Sequence, residues 1–478
     1  MKRLLIANRG EIARRIIRTA RKMGIETIAI YSDADASSLH VQEADTAIRL
    51  PGVTPRETYL DISRVLSAAR HAGADAVHPG YGFLSENASF AVACAQSGMK
   101  FIGPSPDAID HLGSKTNARR LAAETNVPIM PGTKEGLRSV EEAREVADRI
   151  GYPVLLKAAA GGGGKGMRVV WEPSQLEEGL RAARGEAMTA FNSDEVFVEK
   201  YVLGPRHIEL QIVADEHGNV AVLGERECSI QRRHQKVVEE SPSVAVDDAL
   251  RNRMFMAAER LVRGANYTNA GTLEFLLDEN GDFYFLEVNT RLQVEHPVTE
   301  MVTGIDLVEM QLLAASGQRL PISTDSIQRK GHAIECRVCA EDVFNNFLPS
   351  IGTIREVVEP IGDGVRVDSA LYAGMPVTLY YDPMVAKIIA WGETRAEAIA
   401  RMLQALDATH IAGIATTIPF CRFVLEHPAF ISGNFSTNFV KEHWQPELLP
   451  LDQQLIEVAA ASASAVRRAM EERFLHAL

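Results

Sequence analysis

The chain is poor in cysteine, with five among 478 residues: Cys94, Cys228, Cys336, Cys339 and Cys421. A small, odd number is against a disulfide framework. Cys336-Arg-Val-Cys339 has the C-x-x-C form, but it lies in a strand-like run where a three-residue offset points the thiols to opposite faces. No second pair completes a zinc site, so packing is the expected role of both. No run approaches 18 apolar residues, and no membrane span is expected. The start, Met1-Lys-Arg-Leu-Leu-Ile-Ala, has the charged opening of a signal peptide, but its apolar run stops at Asn8-Arg9. The chain therefore reads as cytoplasmic. A net charge of −13 is against general nucleic-acid binding, though it leaves room for a local basic pocket holding an anion. No G-x-G-x-x-G follows a strand-like run, so dinucleotide binding lacks support, and there is no internal repeat.

What is present is ordinary globular material, 46% hydrophobic and 24% charged, and long enough for two to four packed units. The first third alternates short apolar runs (Arg3 to Ala7, Thr27 to Tyr31, Ala74 to His78) with helical patterns such as Glu11 to Met23. That alternation predicts βαβ units and a parallel sheet. The third run ends in Pro79-Gly-Tyr-Gly-Phe-Leu-Ser-Glu-Asn, a turn at the carboxyl edge where open sheets bind ligands. Helices are expected over Lys115 to Thr125, over Ser139 to Ile150 with Ser139 as cap, and over Thr394 to Leu406. Past Gly331 the pattern is mostly short strands and turns.

Three stretches carry chemistry. Thr272 to Asp278 and Asp282 to Val288 alternate as strands about Asn280-Gly281, a strong hairpin signal. Symmetry about that pair sets Glu274 opposite Glu287, with Asn289 returning to the same face. Opposed carboxylates repel, so an all-oxygen cluster there points to a hard cation such as magnesium bridging phosphates. A solvated polar hairpin face is the alternative. Tyr152 to Val170 reads as strand, four glycines and strand, with Lys157 inside an apolar run and Lys165 in the loop. Glycines let backbone amides approach phosphate oxygens. No helix follows Lys165, so this is not a P-loop, and a solvated hairpin tip is the competing reading. Glu225 to Glu240 packs five basic or potentially basic side chains into eleven residues, fitting either an anion site or a solvated charged face.

Ile6-Ala-Asn-Arg-Gly-Glu-Ile-Ala, His78-Pro-Gly-Tyr-Gly-Phe-Leu-Ser-Glu-Asn, Lys157-Ala-Ala-Ala-Gly-Gly-Gly-Gly-Lys-Gly-Met, Gln231-Arg-Arg-His-Gln-Lys and Glu287-Val-Asn-Thr-Arg-Leu-Gln-Val-Glu-His together resemble the biotin carboxylase family, over residues 2 to about 443. The resemblance implies a mixed α/β and α+β fold. Its expected parts are a pre-ATP-grasp α/β domain (1–114), an ATP-grasp domain (115–330) with a glycine-rich lid over about 132–204, a β-rich C-terminal domain (331–445) and a helical tail (446–478). It implies carboxylation of biotin on a carrier protein, using ATP, bicarbonate and Mg2+ or Mn2+, through carboxyphosphate. Carried over by motif, Lys115, Lys157, Met167, Glu199, Lys200, Val202, His207, Gln231 and His234 would bind nucleotide, with Gly163 and Gly164 in the lid. Glu274, Glu287 and Asn289 would hold metal. Lys236, Arg291, Gln293 and Val294 would hold bicarbonate, Glu295 would be the general base, and Arg337 would face the biotin ureido oxygen.

The sequence has no Met-Lys-Met biotinylation motif, so the expectation is a free-standing, homodimeric subunit needing a separate carrier and carboxyltransferase. Ile411-Ala-Gly-Ile-Ala-Thr-Thr-Ile-Pro-Phe and Gly433-Asn-Phe-Ser-Thr-Asn-Phe look more like subunits of bacterial acetyl- or propionyl-CoA carboxylases than like a two-subunit pyruvate carboxylase. Other ATP-grasp ligases and a nucleotide-binding scaffold are the remote alternatives. Leu455, Val458, Ser462, Val466, Met470 and Phe474 recur at helical spacing, which predicts a tail helix that frays, packs on its own C-terminal domain, or docks the carrier or carboxyltransferase subunit.

Overall fold

The computed structural model describes residues 1–133, 136–158, 167–191 and 194–446. The tail beyond 446 and the lid glycines Gly163 and Gly164 lie outside the described residues. The chain opens with a parallel sheet of β1 (Arg3–Ile6), β2 (Glu26–Ser32), β3 (Thr46–Leu50), β4 (Ala76–His78) and β5 (Lys100–Phe101), ordered β3-β2-β1-β4-β5. Leu4, Leu5 and Ile6 are all fully buried, as a strand covered by helices on both faces requires. The helix Gly10–Lys22 turns Ile12, Ala13, Ile16, Ile17 and Ala20 inward at helical spacing. Strand order reverses between β1 and β4, where the loops Ala7–Gly10 and Pro79–Asn87 meet. Asn8 Nδ2 ties them together by donating to the carbonyls of Pro79 and Tyr81, each at 2.7 Å. The short strands β3 and β5 were not foreseen in the sequence.

A second, antiparallel sheet joins β6 (Val154–Ala158), β7 (Met167–Val170) and β8 (Val196–Lys200), in the order β7-β6-β8. β6 pairs with β7 from Val154↔Val170 to Lys157↔Met167, which is the strand, loop and strand expected there. Val154, Leu156 and Ala158 point inward, leaving Leu155 and Lys157 on the other face. Ser139 caps the next-door helix Val140–Ile150 by accepting from the Glu142 N–H.

The third sheet holds the site. It contains β9 (Arg206–Ala214), β10 (Val220–Arg232), β11 (Gln235–Ser241), β12 (Asn269–Leu277), β13 (Phe283–Asn289) and β14 (His332–Cys339), with the strands Met384–Gly392 and Val365–Ser369. All neighbours are antiparallel, in the order β13-β12-β9-β10-β11-β14, then 384–392, then 365–369. The sheet therefore crosses residue 331 without a break, β11 pairing with β14 from Val238↔Cys336 to Ser241↔Ala333. The region past 331 is thus not only short strands: two of its strands run to eight and nine residues.

β9 is buried on both faces. Ile208, Leu210 and Ile212 join the core with Met254, Phe255 and Leu261 of the helix Asp248–Gly264. Burying each such side chain contributes about 1.5–3 kcal/mol. His207, Glu209 and Gln211 alternate with them on the opposite face, equally buried. A buried polar face must be internally satisfied. That requirement organises the site. All five cysteines are buried and unpaired. No helix among the described residues is long and apolar enough to cross a membrane.

Candidate active site

The hairpin β12–β13 sets Glu274 opposite Glu287, as expected, but by a different route. Near the turn the register is Leu277↔Phe283 and Phe275↔Phe285, one residue off the expected symmetry. Asp278 N–H donates to the Asp282 carbonyl at 2.9 Å, closing a three-residue loop in which Gly281 takes φ +80°. A bulge at Leu286 then restores the pairing. Across β12 and β9, Glu274 also faces Glu209, and Glu209 faces Arg226 of β10. Three carboxylates thus stand on successive rungs, an arrangement that repels unless cations neutralise it.

Two cations do so. Arg226, with no exposed surface, grips Glu209 through Nε and donates to Gln211 Oε1 at 2.7 Å, Thr299 Oγ1 at 2.9 Å and Thr272 Oγ1 at 3.1 Å. Lys236 Nζ stands among Glu209, Glu274 (2.8 Å) and Glu295 (2.6 Å). The second oxygen of Glu295 accepts from Arg337 Nη2 at 2.9 Å, and Arg337 Nε donates to Glu239 at 2.6 Å. Burial pushes the Glu295 carboxyl up, but Lys236, Arg337 and Arg226 outweigh it and hold the group well below the usual carboxylate range. Glu295 is ionised at neutral pH. Glu239 goes the other way: burial lifts it to about 7 against the pull of Arg337.

The polar segment after β13 carries the residues expected to hold bicarbonate. Arg291 is held by Nε to Glu86 at 2.9 Å, Nη1 to Gln293 Oε1 at 2.9 Å and Nη2 to Asn289 Oδ1 at 3.1 Å. Glu86 arrives on the loop after β4 and also accepts from the Thr290 N–H at 3.0 Å. Gln293 Nε2 and Asn289 Nδ2 both donate to Glu274 Oε1, at 3.2 and 2.9 Å. His207 Nε2 approaches the other Glu274 oxygen at 3.2 Å. Lys236, Arg291, Gln293, Glu274 and Asn289 are therefore in one connected network, while Glu287 meets Lys115 and the Val294 carbonyl meets Lys387.

Among the residues expected to bind nucleotide, Lys115 reaches Glu287 at 2.9 Å and Lys157 reaches Glu199 at 2.6 Å, with Arg119 on the other Glu199 oxygen. Burial, helped by the nearby Arg119 and Lys115 cations, draws the Lys157 ammonium down to about 8. A triphosphate is the kind of anion that would satisfy such a cluster. Lys200 turns away to the Gly151 and Tyr152 carbonyls, at 3.0 and 3.1 Å. Met167 and Val202 are half-buried. Gln231 donates to the Cys228 carbonyl at 2.7 Å. Arg233 and His234 form the tight turn between β10 and β11 with φ of +51° and +67°, a left-handed pair in which glycine and asparagine are usual. Such strain costs about 1–3 kcal/mol per residue and clusters at ligand-binding sites. Glu225, Arg226, Glu227, Glu239 and Glu240 are each 1% exposed or less, so the strands are not a solvated charged face, whereas Arg233 and His234 at the turn are exposed.

Arg226, Glu239, Glu86 and Arg119 were not read as functional from sequence. The alternation Glu225-Arg226-Glu227 within a long strand was the available signal for the first. The others depend on contacts across distant segments.

The donor set of Glu274, Glu287 and Asn289, all oxygen with two opposed carboxylates, suits Mg2+ or Mn2+. His207, Glu209 and Glu274 also approach metal-ligand spacing, as do Glu209, Cys228 and Glu295, but Lys236 already stands among their carboxylates. Glu287→Gln is expected to leave unliganded thermal stability unchanged or slightly raised, since it relieves a like-charge pair at the loss of the Lys115 contact. It should raise the Mg2+ concentration needed for activity. A collapse of stability with unaltered Mg2+ dependence would make Glu287 structural.

The antiparallel pair β6–β7, lysines facing acidic groups and paired carboxylates on an antiparallel hairpin agree with the ATP-grasp class of ATP-dependent ligases expected from the resemblance. Three family models cover most of the chain: biotin carboxylase N-terminal domain (residues 1–109), carbamoyl-phosphate synthase L chain ATP-binding domain (114–323) and biotin carboxylase C-terminal domain (335–442). The chain belongs to the biotin carboxylase family. It is 51% identical to biotin carboxylase 1 of Bacillus subtilis, over 93% of this chain and 99% of that one. It is 46% identical to the propionyl-CoA carboxylase alpha chain of Ruegeria pomeroyi, over 98% of this chain and 72% of that one. Among solved structures, the biotin carboxylase domain dimer of Hydrogenobacter thermophilus 2-oxoglutarate carboxylase, with MgADP, ADP and bicarbonate, superposes with a TM-score of 0.86. The two are 44% identical, covering 92% of this chain and 97% of that one.

Proposed function

We propose that this chain carboxylates biotin on a separate carrier protein as the first half-reaction of an acetyl- or propionyl-CoA carboxylase, working as a homodimer beside a carboxyltransferase subunit. The observation that carries the chemistry is Glu295, ionised and buried between Lys236 and Arg337. The acyl-CoA assignment rests on residues 411–420 and 433–439. The Hydrogenobacter dimer supports pairing.

In this reading Lys115, Lys157, His207, Gln231 and His234 bind the nucleotide phosphates, together with Gly163 and Gly164. Met167, Glu199, Lys200 and Val202 line the adenine side. Glu274, Glu287 and Asn289 hold the metal, which when bound neutralises phosphate charge. Arg291, Gln293, Lys236 and the Val294 backbone hold bicarbonate, the planar guanidinium matching a carbonate-shaped anion. Glu295 accepts the bicarbonate proton as a bicarbonate oxygen attacks the γ-phosphorus, the β–γ bridge breaks and ADP leaves. The work of the site is positioning and charge neutralisation. Carboxyphosphate divides into CO2 and phosphate, phosphate takes the ureido proton, and the ureido nitrogen attacks CO2. Arg337 stabilises the ureido oxygen as charge builds there.

Arg337→Ala is expected to retain ATP and bicarbonate binding and to lower kcat with free biotin by about 10²-fold, the scale of one lost oxyanion donor. An unchanged rate removes Arg337 from the mechanism. Assay of the purified complex with acetyl-CoA, propionyl-CoA and pyruvate decides the acceptor, and turnover of pyruvate alone would overturn the acyl-CoA assignment.

A further inference from the structure

Lys387 is fully buried in the middle of the apolar strand Met384–Gly392, flanked by Val385, Ala386, Ile388 and Ile389. Its ammonium donates to the Val294 carbonyl at 2.7 Å and lies 3.3 Å from Glu11 Oε1, with the Tyr81 ring 5.9 Å away. Glu11 in turn accepts from the Tyr81 hydroxyl. In the sheet, Lys387 is the direct cross-strand partner of Arg337. Two cations side by side on neighbouring strands repel. Each, however, has a separate hold on one short segment: Arg337 grips the Glu295 carboxylate, and Lys387 grips the backbone one residue before it. His296 Nδ1 meets the Gln293 carbonyl at 2.8 Å, so consecutive carbonyls of this segment are each held by a side chain.

Stability alone does not call for a lysine here. A buried ion pair replaced by apolar residues of similar volume is often neutral or stabilising, and the flanking residues show that the strand accepts aliphatics. An ammonium is needed where a carbonyl has to be held at a fixed place. From this geometry we propose that Lys387, with Glu11 as its counter-charge, is a positioning residue: it fixes the backbone at Val294 and so aims Glu295 and the Val294 N–H at the bicarbonate. The proposal rests on Glu295 being the proton acceptor. It also ties the first helix, the loop after β4 and the C-terminal region to a single point beside the reacting groups.

The test compares Lys387→Met, the double variant Glu11→Gln with Lys387→Met, and Lys387→Arg, in bicarbonate-dependent ATP cleavage, nucleotide binding and thermal unfolding. Glu295→Gln is run alongside. The double variant removes Lys387 and Glu11 together, and Asp368, the other cross-strand neighbour of Lys387, keeps Arg366 and Arg18. Misplacement by about 1 Å can cost 10²-fold. A kcat loss on that order is expected in both charge-free variants, with a raised KM for bicarbonate, unaltered ADP affinity and partial rescue by arginine. Wild-type kcat and KM in the folded double variant, with Glu295→Gln inactive, overturn the positioning role alone. A Glu295→Gln enzyme that keeps its rate overturns the underlying reading and this proposal with it. Loss of the thermal transition in both charge-free variants would make Lys387 a stability residue and also overturn it.

Discussion

Glu295→Gln is expected to lower biotin carboxylation by about 10²–10⁴-fold, the span typical of a positioned general acid or base. The carboxylate is fully buried, and each oxygen already has a cationic donor, Lys236 on one side and Arg337 on the other. An amide keeps one acceptor but turns an NH2 toward a cation, so one of those contacts becomes donor against donor. The proton acceptor is lost outright. Nucleotide affinity should be spared, because the Lys115 and Lys157 contacts lie with Glu287 and Glu199 rather than with Glu295. Single-turnover ATP cleavage with bicarbonate and without biotin separates the two effects. A variant that still forms ADP at the wild-type rate would mean that another group takes the bicarbonate proton.

Lys236→Met is expected to have the largest effect on stability. One ammonium neutralises Glu209, Glu274 and Glu295, all within the buried polar face. Removing one partner of a buried pair typically costs about 3–5 kcal/mol, because the remaining charge keeps its desolvation penalty. Here three carboxylates are affected, although Arg226 and Arg337 still hold two of them. Thermal unfolding without nucleotide should show a clear drop in Tm, and bicarbonate should no longer stimulate ATP cleavage. Lys236→Arg should recover most of the stability but little of the activity, since a guanidinium fork does not reproduce a point donor among three oxygens. An unaltered Tm in Lys236→Met would show that the carboxylates protonate or rearrange at little cost.

Much of this site was legible in the sequence because period-two alternation puts Glu287 and Asn289 on one face and the Asn280-Gly281 hairpin signal sets Glu274 across from them. The pairing expected from the turn was right only after compensation. Gly281 favours a three-residue loop with a left-handed last position, and the bulge at Leu286 absorbs the slip. Nothing in the residues around Leu286 announces that bulge. The run from Glu225 to Glu240 was ambiguous because a charged strand looks the same whether water or opposite charges satisfy it. Only the strands on either side decide. Lys387 did leave a trace, a lysine inside an apolar strand, the same signal that singled out Lys157. Its partners, Glu11 and the Val294 carbonyl, are too far off in sequence for pattern to supply. β3 and β5 went unread because five and two residues give too little alternation to register.

The unbroken sheet across residue 331 determines how this polypeptide can be divided or recombined. A gene fragment ending there would strip β14 and its two outer neighbours from β11 and open a raw hydrogen-bonding edge beside Val237 and Val238. Bare apolar edges of that kind recruit other chains, so such a fragment is a candidate for inclusion bodies. A chimera that borrows its C-terminal portion from another carboxylase likewise exchanges three of the sheet's eight strands. It has to carry the rungs from Val238↔Cys336 to Ser241↔Ala333 over in register, or Arg337 arrives on the wrong side of the seam.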